Sequence, residues 1–180
     1  AELNRITAGN LLIGDAANTG GIQVSAATTT NATSGHLTLH TGGNIAINGA
    51  LNVGGTTPSK NLTLNGAGAT SQVTQTAAIK AAGLELLGSG ATHTLTHTDN
   101  DIKKLAGNTA KVSLTNNAAF AIDTVNTEGL TSVDTTLNST AAVTQTQAIR
   151  ASGLELLGAG GNYTLNHTDN TIKKLAGDTG

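Results

Sequence analysis

Apolar residues recur along this chain in short alternating runs and do not follow the three-to-four spacing of a helix. Four such runs, Leu11-Leu12-Ile13, Leu37-Thr38-Leu39, Leu62-Thr63-Leu64 and Leu84-Glu85-Leu86, follow one another at nearly regular intervals. Alternation within a run is the strand period, and the interval between runs suits one turn of a solenoid rather than a hairpin. The outer residues of each run should therefore point inward. Their middle residues, Leu12, Thr38, Thr63 and Glu85, should form an outward column on one face.

A longer period overlies the short one. The stretch from Val73, VTQTAAIKAAGLELLGSGATHTLTHTDNDIKKLAGNTA, returns from Val143 as VTQTQAIRASGLELLGAGGNYTLNHTDNTIKKLAGDTG, with 27 of 38 positions identical. Each unit holds about nine short apolar runs separated by Gly, Asn, Asp, Ser and Thr, which favour turns, so it divides into about three coils of three strands. The chain then reads as degenerate coils over 1–72, a first long unit over 73–142 and the start of a second over 143–180, all in one solenoid. The expected fold is all-β, a right-handed parallel β-helix of about eight coils at roughly 23 residues each and about 38 Å long. Leu84, Leu86, Leu95, Ile102, Leu105, Leu114, Ile122, Leu154, Leu156, Leu165, Ile172 and Leu175 should face the interior.

Two rival folds fit less well. A helix over 76–87 is interrupted by Gly83, and Ile79, Leu84, Leu86 and Leu87 do not form one stripe. A β-sandwich needs hairpins and a bulkier core. Pro58 falls between two runs, where a missing amide donor does no harm.

Composition narrows the core and the partners. Phe120 and Tyr163 are the only aromatics and there is no Trp, Met or Cys, so Leu, Ile, Val and Ala must fill the interior. A net charge of −2 with scattered Lys and Arg offers no footprint for nucleic acid. The absence of Cys removes disulfides and thiolate metal sites and suits a chain that crosses a membrane unfolded. Ala1 begins without a charged or apolar leader, so the chain reads as a mature or internal fragment.

The segments ITAGNLLIGDAANTGGIQV, GHLTLHTGGNIAINGALNVGG and NLTLNGAG resemble coils of the filamentous-haemagglutinin-like large exoproteins of Gram-negative bacteria. GLELLG, LAGNT and FAIDTVNTEGLTS are similar to further repeats of that family. The resemblance implies a structural shaft of a secreted or surface-displayed adhesin, exported by the two-partner route through an outer-membrane transporter. Its partners would be flanking coils of the same polypeptide or neighbouring chains stacked end to end, and a host or neighbouring-cell surface. The Asn-Pro-Asn motif of the family's secretion domain is absent.

Candidate chemistry is sparse, and neither a cofactor nor a metal is expected. His36 and His40, like His93 and His97, are four positions apart. In a strand that interval spans about 13 Å, too far to share an ion. Asp99, Asp101, Asp169 and Asp178 form no calcium-loop pattern, and Asp99 and Asp169 are expected to cap turns. Glu85 and Glu155 occupy equivalent places, and if the unit spans three coils they stand about 14 Å apart, beyond the reach of a glycosidase pair. Lys103-Lys104 and Lys173-Lys174 read as a solvated face. Asn31, Asn61, Asn138, Asn162 and Asn166 lie in glycosylation triplets of a number chance would give. The alternatives to a shaft are a polysaccharide lyase or epimerase, which would need aromatic platforms and Arg, and an ice- or crystal-binding plane. The plane would use Thr74-x-Thr76 and Thr144-x-Thr146.

Overall fold

A computed structural model describes every residue except Ala1, Ala32, Ser34, Thr56 and Pro58, so the expectation for Pro58 lies outside the described residues. Sixteen strands join in one sheet, and every strand pairing among the described residues is parallel. Gln23, Ala46, Thr74, Thr94, Ser113, Thr136, Glu155 and Ala176 stand one above another. One residue per coil gives a β-solenoid of about eight turns. Twisted strands joined by parallel crossovers favour the right-handed sense.

The first two coils use three separate strands each, and the third begins with two. The first face holds Asn10–Asp15, His36–Thr41 and Asn61–Gly66, the second Ile22–Val24, Ile45–Ile47 and Gln72–Gln75, and the third Thr28–Thr29 and Leu51–Asn52. From there the chain pairs continuously around the corners. Ile79–Leu95 touches all three faces in turn, in place of the rival helix, and Asp101–Thr115 follows it.

Alternation decides the core. Leu12, Thr38, Thr63, Glu85 and Ala106 form the outward column read from the sequence, flanked by Leu11, Leu37, Leu62 and Leu84 on one side and Ile13, Leu39, Leu64 and Leu86 on the other. Leu84, Leu86, Leu95, Ile102, Leu105, Leu114, Ile122 and Leu154 are buried, and Leu156, Leu165 and Ile172 pack half-buried against them. Each such side chain contributes roughly 1.5–3 kcal/mol on burial. Leu175 departs from expectation. It continues the inward column above Leu154 but is 68% exposed, because no further coil covers the eighth.

The long repeat does not close on a whole number of coils. Coil length varies, from the long step between Ala46 and Thr74 to the short one between Thr94 and Ser113. The displacement from Val73 to Val143 therefore carries equivalent residues onto different faces. Glu85 belongs to the Leu12–Ala106 column, whereas Glu155 stands above Thr136 and Ser113. The expected straight-line spacing of equivalent carboxylates gives way to a spiral. In the sixth coil the first-face strand is interrupted: Phe120–Ile122 pairs with 104–105, Leu130–Asn138 pairs onward from Gly107, and residues 123–129 bulge out between them.

Candidate functional site

The bulge builds the most elaborate polar site among the described residues. It is a narrow loop closed by an antiparallel bridge between Thr124 and Glu128. At its stem Asp123 accepts an ion pair from Lys104 at 2.7 Å and a hydrogen bond from the Thr146 hydroxyl at 2.6 Å. These two donors, Lys104 first, hold the Asp123 carboxyl down to about 2. The loop then leans back across Ala106, which is small enough to lie fully buried under it, and reaches the fourth and third coils.

There it covers Glu85. Thr127 donates its amide and its hydroxyl to Oε1, both at 2.7 Å, while Asn126 and Thr63 donate to Oε2 at 2.9 and 2.7 Å. Alternation alone places Glu85 and Thr63 in solvent, yet they are 2% and 3% exposed. Both do point outward, so the register is right. A loop from a later coil has covered them. Burial pushes the Glu85 carboxyl up, but the four donated hydrogen bonds outweigh it and leave the group below its ordinary value. Such a carboxylate, with both oxygens saturated, clamps a loop and has no lone pair directed at a substrate.

Gly83 makes the close approach possible. A Cβ there would lie 2.7 Å from Asn61 Oδ1 and 3.0 Å from Val125 Cγ2. Gly83→Ala should therefore destabilise the fold by about 1–2 kcal/mol by lifting the loop. Gly153→Ala, whose Cβ would meet only Asp134 Oδ1 at 3.0 Å, should be close to neutral. Thermal denaturation of the two variants side by side checks this.

The remaining expected residues disperse into structural roles. His36 Nδ1 accepts the Asn61 amide. The HTDN turns are capped by histidine and not by aspartate: the Asp99 amide donates to His97 Nδ1 and the Asp169 amide to His167 Nδ1, both at 3.1 Å. Lys103 pairs with Asp101 at 2.6 Å and Lys111 with Asp134 at 3.7 Å, whereas Lys173 and Lys174 are exposed. No group of three or more His, Asp or Glu side chains that could hold a metal lies together among the described residues. Hydroxyls line one column from Thr74 through Thr94 and Ser113 to Thr136, but the neighbouring rank is Gln72, Thr92, Lys111 and Asp134.

Sequence reasoning missed the polar links inside the coils. Asn100 Oδ1 accepts from the Gln75 amide group and the Ile79 backbone, and its Nδ2 donates to Gln75 Oε1, Leu95 and Thr115. Asn170 repeats this with Gln145, Ile149 and Leu165. Gln75, Gln145, Asn100 and Asn170 are identical between the two copies, which was the available signal. His93 and Tyr163, which differ between the two copies, are both inward. His93 Nε2 lies 3.3 Å from the Leu64 carbonyl, and the Tyr163 hydroxyl contacts the Leu137 and Leu157 carbonyls. Both close backbone acceptors across coils.

No protein-family model, curated protein or solved structure matches the chain.

Proposed function

We propose that this chain is a shaft segment of a large secreted or surface-displayed bacterial adhesin fibre, without catalytic activity of its own. The observation that carries the reading is that the buried polar groups Glu85, His93 and Asn100 are all engaged within and between coils. Selection for a reaction would leave such groups facing a cleft; selection for length uses them to join coils. The apolar interior also meets solvent at both ends of the solenoid. At one end a recess of about 420 Å³ is lined by Leu3, Ile13, Ile22 and Leu37, and at the other Leu175 stands uncovered. Unpaired strand edges there suit flanking coils or neighbouring chains stacked end to end.

The test removes one unit. Deleting residues 73–142 joins Gln72 to Val143, which occupies the place of Val73 in the repeat. In the native fibre this deletion should shorten the shaft by about 16 Å, at about 4.8 Å per coil, and leave export and adhesion unchanged. Loss of adhesion with normal export would sink the reading. So would turnover of a polysaccharide by the purified chain that disappears on changing Asp99 or Glu85.

A further inference from the structure

The clamp that holds Glu85 is present twice, and only one copy is filled. Gly83, Glu85, Lys104 and Ala106 return in the second copy of the repeat as Gly153, Glu155, Lys174 and Ala176. The registers match as well: Lys104 stands above Gly83 and Ala106 above Glu85, while Lys174 stands above Gly153 and Ala176 above Glu155. A threonine completes each set from the coil beneath, Thr63 donating to Glu85 at 2.7 Å and Thr136 donating to Glu155 at 2.9 Å. The one change is at the position beneath the glycine, Asn61 in the filled copy and Asp134 in the open one.

In the filled copy the loop 123–129 lies over this surface. In the open copy the same surface is a shallow groove of about 260 Å³ lined by Asp134, Thr136, Gly153, Glu155, Lys174 and Ala176. Glu155 and Lys174 are exposed, and Lys174 makes no ion pair among the described residues. We infer that this groove is a docking site for an Asp-Thr-Val-Asn-Thr loop like that of residues 123–127, delivered by a segment equivalent to 111–142 that completes the second repeat unit. The loop's aspartate meets Lys174, its valine lies over Gly153, and its asparagine and threonine donate to Glu155. The contacts are those of Asp123, Val125, Asn126 and Thr127 in the filled site. Each unit would thereby fasten its own loop over its own glutamate, as 123–129 does over Glu85 within 73–142, a side-face lock in addition to strand stacking. This rests on the repeat geometry alone and stands whether or not the shaft belongs to an adhesin.

The experiment extends the whole chain by appending a copy of residues 111–142 after Gly180, which is equivalent to Ala110. Amide hydrogen exchange then reads two threonine amides, the native Thr127 on Glu85 and the appended copy's Thr127. The appended amide should be protected at least tenfold over an open loop. Glu155→Ala should abolish that protection while the native Thr127 amide is unchanged, and Glu85→Ala should do the reverse. Protection unaffected by Glu155→Ala, or an appended loop exchanging freely while its strands are protected, overturns the inference. If the appended segment does not fold, a cyclised peptide of residues 122–130 at millimolar concentration is titrated against the 180-residue chain. Resonance shifts confined to Gly153, Glu155 and Lys174 support the site, and their absence overturns it.

Discussion

Glu85→Ala should destabilise the solenoid by about 3 kcal/mol, comparable to the roughly 2–5 kcal/mol expected for Leu86→Ala in the core. On alternation alone the glutamate would be the milder loss, because it points away from the interior. Truncation, however, leaves four donors on Thr63, Asn126 and Thr127 without their acceptor. Removing one partner of a buried, charge-assisted network costs more than forming it gains, since the remaining groups must be rehydrated or left unpaired. Glu155→Ala provides the internal control. It removes one exposed hydrogen bond from Thr136 and should cost under about 0.5 kcal/mol. Chemical denaturation of both variants decides the matter, and equal small losses would mean that the loop contributes nothing.

The Glu85 effect also carries a pH signature. Its carboxyl is held below the ordinary value of 4.5, so the unfolded chain takes up the proton first as pH falls. The stabilisation is complete above pH 4.5 and is lost below it, through the folded-state value. Glu85→Gln should remove this acid-limb slope.

Much of the fold was legible because it depends on short-range alternation repeated many times. Leu37-Thr38-Leu39 and Leu62-Thr63-Leu64 state their own inward and outward residues, and stacking follows because no single coil can bury its apolar face. Corners are written less clearly. The paths of Ile79–Leu95 and Asp101–Thr115 are continuous through turns that composition alone would break into separate strands. The rotation of the second copy onto a new face was illegible for a related reason. It depends on coil lengths that vary slightly from one turn to the next, and a loop inserted at 123–129 alters the count without altering the pattern. The clamp was hidden because Glu85 and Asn126 come together only when the loop folds back over two coils, a contact of long sequence separation that periodicity does not encode.

Lowering the pH from 6.5 to 4 should cost the fold about 3 kcal/mol through a single residue, His93. This imidazole stands in the inward column between Val73 and Val112 and is fully buried. With a proton on Nε2 it donates to the Leu64 carbonyl, and its Nδ1 lies 3.1 Å from the Thr109 hydroxyl, itself directed at the Gly88 and Ala91 carbonyls. Burial without a carboxylate partner penalises the imidazolium, and although the carbonyl of Leu64 opposes this, the group is pushed from 6.5 down to about 4. The unfolded chain therefore binds the proton between these values and the folded chain does not, so stability is full above pH 6.5 and declines as pH falls toward 4. The window lies above that of Glu85, and the two can be separated. His93→Val matches the column and should lose about 1 kcal/mol at neutral pH from the unpaired Leu64 carbonyl, yet its stability should be flat from about pH 6.5 to 4.5. Tyr163, the equivalent residue, is raised by burial above its ordinary value and stays neutral throughout this range. A wild-type stability that does not fall between about pH 6.5 and 4.5, or one that falls equally in His93→Val, would show that the buried imidazole is not the acid-sensitive group of this core.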